Sequence, residues 1–276
     1  MTVAVPLAHA GHGAAGPTWF PLLPVAVLAC GYVLAAVRDP RGWDHRRTVS
    51  WLAGCALLAV AVGPLTPLPD DPRGHMAQHL LLGMFAPLGL VLAAPVTLLL
   101  RVAPQPARRT VGRLLRARPL HLLAHPVTAA LLSTGGLALV LLTPLYAAAE
   151  RQPVLHHAVH LHYLAAGYLL AWSLVGPDPA PRRPGLAVRV GALLAASAGH
   201  TVLAKYLYAQ AETLPPGLTD RDPEAFRSAA QLMYYGGDLA ELLLATALFA
   251  TWYHSNRPRP TRPRPSPSRP PAARLR

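Results

Sequence analysis

Thirteen histidines in a chain with only 13% charged residues are a chemical signal, and their spacing sharpens it. In HMAQH, His75 and His79 are four residues apart; in HHAVHLH, His156 and His160 repeat that interval, and His157 precedes His160 by three. On a helix such pairs share one face, about 6 Å apart along the axis, which lets two imidazoles serve one metal ion. His162 falls on another face of the same helix. His200 lies alone in an apolar stretch, where an unpartnered polar side chain is costly and therefore functional by default. His9 and His12 precede all of these and could meet an arriving metal first, together with Met76.

A second polar group sits in AAQLMYYGGDLAELLLATALFATWY, where Tyr234, Asp238 and Glu241 recur at helical spacing. They are expected to form a stripe facing the protein interior. Three roles are open: metal ligand or support of a metal-binding histidine, proton relay, or a structural pair with Arg189 or with Lys205, the only lysine. Arg189 is expected to snorkel toward the nearer membrane interface. Imidazoles, a carboxylate and the thioethers of Met76, Met84 and Met233 form a set suited to copper, with zinc also compatible. Haem is the competing cofactor, since histidines on different helices, such as His79 and His160, could be its axial ligands. Cys30 and Cys55 lie in apolar runs without CxxC spacing and read as small buried hydrophobes. There is no GxSxG, HExxH, phosphate-binding glycine loop or dinucleotide fingerprint, so an enzyme is not expected.

The elements that must carry these residues follow from composition. Of 276 residues, 53% are apolar, and seven stretches are long enough to cross a hydrocarbon core as helices. They run approximately over 19–37, 48–68, 75–100, 126–146, 156–176, 186–208 and 229–252. Prolines inside them, Pro24, Pro64, Pro87 and Pro144, are expected to kink rather than break the helices. The fold class is therefore all-α, a polytopic membrane protein. Its domains are an amino-terminal segment 1–18, a seven-helix transmembrane domain 19–252 and a Pro/Arg-rich tail 253–276, expected to be disordered.

The net charge of +13 does not point to nucleic acid, because the basic residues fall on alternate loops rather than on one folded patch. With the amino terminus outside, nineteen basic residues lie in cytoplasmic segments against four on the opposite side, which also holds seven acids. The positive-inside rule then places the carboxyl terminus in the cytoplasm and nine of the histidines in the outer half. The first 18 residues lack the pattern of a cleaved signal peptide, so the first span is expected to be retained.

The third stretch, HMAQHLLLGMFAPLGLVLAAPVTLLLR, with His75, His79, Pro87 and Pro95, resembles the hallmark segment of the CtaG family of cytochrome c oxidase assembly factors, the caa-type branch. His160, Gly167, Trp172 and the GPDP turn at 176–179 look like the family's next landmark, and GHTVLAKYLYAQ and Asp238 also fit. The resemblance covers residues 19–252. One departure concerns the acid: Gly236 and Gly237 precede Asp238, and a second acid, Glu241, follows it.

The resemblance implies a bacterial inner-membrane protein that assists maturation of a haem–copper oxidase through copper delivery. The expectation is a copper site in the outer leaflet built from His79 and His160, with His75, His156 or His200 as further ligands. Asp238 would act as a supporting or proton-accepting group. Partners would be an oxidase subunit, the lipid bilayer and an extracytoplasmic copper donor. The competing classes are a proton- or copper-conducting transporter, a haem-binding membrane protein and a scaffold in which the buried polar groups only join helices.

Overall fold

The computed structural model describes residues 21–63, 71–179, 183–219 and 221–256. Among these, every regular element is helical. We number the helices α1 (Leu22–Val37), α2 (His45–Val62), α3 (Pro72–Leu92), α4 (Pro95–Val102), α5 (Gln105–Leu115), α6 (Arg118–Leu123), α7 (Pro126–Leu142), α8 (Leu145–Arg151), α9 (Pro153–Val175), α10 (Leu186–Ala209) and α11 (Pro223–Asn256).

Helices α3, α9, α10 and α11 are long and apolar enough to cross a membrane, and α7 with α8 adds a fifth span if that pair is counted as one. Helix α1 has 16 residues, and the 18 of α2 open on His45, Arg46 and Arg47. The expected first and second spans extend into residues outside the described set, as do His9, His12, Pro64 and the tail beyond residue 256. The outward faces are apolar, with Val27, Leu131, Leu161, Leu194, Val202 and Leu242 all exposed, the pattern of helices solvated by lipid. Cys30 is exposed among them on α1, contrary to expectation, whereas Cys55 is buried.

Local chemistry sets the helix ends. Asp71 caps α3 by accepting the backbone N–H of Arg73 at 2.8 Å, with Pro72 in the first turn. The expected third span, 75–100, is in fact two helices. Pro95 disfavours a helical residue before it, and Ala94 takes a left-handed conformation at φ 54°. Helix α4 then starts afresh, and the GPDP turn anchors it. Asp178 is buried and accepts the backbone N–H groups of Val96 and Thr97 at 3.0 and 2.7 Å and the Thr97 hydroxyl at 2.6 Å.

Pro144 breaks its span rather than kinking it: α7 and α8 meet at 77°. Pro87 stays inside α3, directly after a wide π turn at Leu81–Phe85. At a second π turn, Leu131–Gly135 in α7, the Leu132 carbonyl accepts the Gly136 N–H and also lies 3.1 Å from the His162 ring nitrogen. Glycines let the helices close on one another. A Cβ on Gly167 of α9 would lie 1.9 Å from the Gly83 carbonyl oxygen of α3, and one on Gly54 of α2 would meet Leu90 at 2.9 Å. Tyr32 joins α1 to the rest: it stacks on Trp51 at 4.5 Å, accepts from the Trp43 indole and donates to the Ala93 carbonyl.

Candidate metal centre

The close packing of α3, α9, α10 and α11 brings together histidines that are distant in sequence. One face of α3 supplies His75 and His79, α9 supplies His156 and His160, and α10 supplies His200. His75, His79 and His200 are each only 5% exposed. The His79 and His200 rings lie 6.0 Å apart at 28°, and those of His75 and His160 lie 6.1 Å apart. His156, half-buried, sits 4.2 Å from His160. Tyr163 stands between the two pairs, edge-on to His79 at 4.8 Å, with His75 and His160 at 6.4 and 6.5 Å.

Both ring nitrogens of His75 and of His79, Nε2 of His160 and of His200, and the Tyr163 hydroxyl are buried without a hydrogen-bond partner. An unpaired buried polar group costs roughly 1–3 kcal/mol, so a group of them in one region is costly unless a ligand or water meets them. Ring centroids about 6 Å apart leave room for one ion about 2 Å from a nitrogen of each ring. Among the described residues no three His, Cys, Asp or Glu side chains form a ready metal cage. The arrangement is therefore two imidazole pairs in series, His75/His160 and His79/His200, rather than one four-ligand site. That crosses the expected partnership of His79 with His160.

Carboxylates stand at both ends of the series. Glu150 Oε1 is 3.7 Å from His75 Nδ1, and Glu241 Oε1 is 3.8 Å from His200 Nδ1. Glu241 also accepts a short hydrogen bond from the Ser197 hydroxyl. The stripe expected on the last helix does not face the interior as a unit. Gly237 packs on the His200 ring, Glu241 lies about 40° around the helix from Gly237, and Asp238 lies about 100° around it. Asp238 is accordingly exposed on the outer face. Lys205 is exposed too, with Nζ 5.4 Å from the Tyr234 ring centroid in a cation–π contact, and neither it nor Arg189 forms the expected ion pair with an acid of that helix. Arg189 instead donates to the Leu174 carbonyl.

Met76 is buried beside His75, and Met233 is fully buried in the core. His157 turns back to the Pro153 carbonyl of its own helix. Tyr163, Tyr146, Glu150, Ser197 and Gly237 escaped the reading of the sequence. Helical spacing alone carried a signal for two of them, since Tyr163 follows His160 by three and Ser197 precedes His200 by three.

Residues 28–255 match the family described as cytochrome c oxidase caa3 assembly factor. An uncharacterized protein of Mycobacterium bovis is 36% identical over 200 residues, 68% of this chain and 30% of the relative. An uncharacterized protein of Mycobacterium leprae is 32% identical over 247 residues, 82% of this chain and 37% of the relative. The chain thus spans about a third of the length of these curated relatives. No solved structure matches it.

Proposed function

The chain belongs to the family of cytochrome c oxidase caa3 assembly factors, and from that premise we propose that it holds copper on its buried histidines in transit to a haem–copper oxidase subunit. The observation that supports this reading is the row of imidazoles with unpartnered ring nitrogens, His75, His160, His79 and His200, drawn from three helices. Imidazole serves copper well, and paired ligands hold an ion less tightly than a closed cage, as suits a cargo that must be handed on. Copper is here the cargo rather than a resident cofactor. His75 and His160 receive it, and His79 and His200 hold it deeper, with Glu241 balancing its charge.

In this reading α1 and α2 complete a bundle of seven spans in the bacterial cytoplasmic membrane. The arginines of α4 to α6 and of the 183–189 segment face the cytoplasm, and Asp71, Glu150 and Asp222 face outward. An extracytoplasmic donor brings the copper, and the oxidase subunit takes it within the bilayer. No step of covalent catalysis is involved.

The test is elemental analysis and an absorption spectrum of the purified protein, beside a His79→Ala/His160→Ala variant that breaks both pairs. Copper near one per chain, without a Soret band, and its loss from the variant is the expected result. A Soret band would reassign the histidines to haem. Copper retained undiminished in the variant would overturn the proposal.

A further inference from the structure

At the end of the bundle where α3, α9 and α11 begin lies a cavity of about 320 Å³. Asp71, Glu150 and Asp222 line it together with His75, His156 and Tyr146. Three carboxylates come from three separate places in the chain: the cap of α3, the end of α8 and the start of α11. Acidity alone would say little. The independent observation is His75, 95% buried by its 5% exposure, with both ring nitrogens unpartnered, which lines this cavity and also a second one of only about 20 Å³. Tyr146 and His75 are the polar residues common to the two.

The sizes set what can pass. A water occupies roughly 30 Å³, so an ion with six waters needs roughly 180 Å³. The larger cavity accommodates that, whereas the small one does not. We infer that the larger cavity is a port for a hydrated divalent cation, in which Asp71, Glu150, Asp222 and His156 gather the ion and His75, buried in its wall, is the imidazole that takes it from water. Carboxylate and imidazole donors without thiolate or thioether suit divalent first-row ions and not a soft monovalent one. Met76 lines only the small cavity.

Two arginines temper the field. Arg73 binds Asp71 through Nε and Nη2 at 2.9 and 2.7 Å, and Arg221 lies near Tyr146 while donating to the backbone carbonyls of Ala211 and Thr213. Arg73 therefore acts as a brake on the port. The hydrogen bonds from its side chain and backbone hold the Asp71 carboxyl below the usual range, so Asp71 stays ionised under its grip.

The inference rests on the copper-holding reading for what happens beyond His75, but the port is testable by itself. Full-length protein in nanodiscs is offered Cu(II) as its glycine complex, and uptake is timed for wild type, Glu150→Gln/Asp222→Asn and Arg73→Gln. Removing the carboxylates slows loading about tenfold at low ionic strength, and removing Arg73 speeds it several-fold, with both differences shrinking in high salt. A misfolded variant cannot load faster, so the opposed signs separate charge from damage. Rates within twofold of wild type in both variants, with copper still bound at the end, would overturn the port and leave the buried pairs standing. If wild type binds no copper, the buried-site reading fails, and Mn(II) binding followed by electron paramagnetic resonance decides the port: weakened in Glu150→Gln/Asp222→Asn supports it, and unchanged or absent refutes it.

Discussion

The His79 and His200 rings lie 6.0 Å apart, tilted by only 28°, although the two residues are more than a hundred positions apart in sequence. Nothing local requires this. It is produced by the approach of α3, α10 and α11, and it leaves Nε2 of both rings unpartnered. If the pair shares one ion, removing either ring removes half of its ligands. His79→Ala and His200→Ala should each weaken copper binding by at least tenfold, and the double variant should be little worse than either single one. Competition titration against a chelator of known affinity measures this, and simple additivity would argue against a shared ion.

Gly237 provides the space for that geometry. A Cβ placed there would come within 2.2 Å of the His200 ring, whereas one on Gly236 would meet only the end of the Leu80 side chain, at 2.5 Å. A leucine can change rotamer, but a ring held between two helices has no comparable escape. Gly237→Ala should therefore displace His200, lower copper affinity and cost about 1–3 kcal/mol of stability. Gly236→Ala should cost less and leave copper retention intact. Thermal unfolding in detergent together with copper content of the two variants tests the contrast.

Tyr163 offers a different discrimination. Its hydroxyl is buried and unpartnered, so in a purely structural role Tyr163→Phe should be neutral or slightly stabilising. Because it stands 4.8 Å from His79 and between the two imidazole pairs, loss of the hydroxyl should also slow movement of copper from His75/His160 to His79/His200. Equal or higher thermal stability combined with slower arrival of copper at the deeper pair is the expected signature. An unchanged transfer rate would reduce Tyr163 to packing.

Much of this was legible in the sequence, and the parts that were not share a cause. Apolar runs near twenty residues fix helices wherever they occur, since backbone groups in lipid must pair within their own segment. The pairs His75/His79 and His156/His160 are readable because spacing alone puts each on one face. Partnership between helices is not, since it depends on helix rotation and on close approaches such as Gly83 to Gly167. Pro144 and Pro87 look alike in sequence, yet one ends its helix and the other is absorbed after a π turn. Asp178 in GPDP was visible as a landmark, but its task, holding the start of α4 from eighty residues away, needed the fold.

That task yields a stability prediction independent of any metal. Asp178 accepts three hydrogen bonds from Val96 and Thr97 while only 3% exposed. Asp178→Ala strands two backbone N–H groups and should cost about 2–4 kcal/mol. Asp178→Asn keeps an acceptor and should recover part of it. Copper per folded chain should stay at the wild-type level in both, because α4 is remote from the imidazoles; thermal melts with metal analysis of the surviving fraction test both statements.

The two acids of α11 separate by their direction. Glu241 reaches His200 and Ser197, whereas Asp238 points away beside the exposed Leu239 and Leu242. A carboxylate facing hydrocarbon costs roughly 2.5–3.5 kcal/mol near the middle of a span, and less toward its ends. Asp238→Leu should therefore stabilise the isolated protein in a bilayer by about 1–3 kcal/mol and leave copper affinity unchanged. Glu241→Gln keeps the shape but removes the charge opposite His200, and it should weaken copper binding several-fold. Measuring both variants in nanodiscs decides which acid serves the site. Loss of copper in Asp238→Leu with retention in Glu241→Gln would reverse the assignment, requiring α11 to turn by about 60° so that Asp238 takes the place of Glu241.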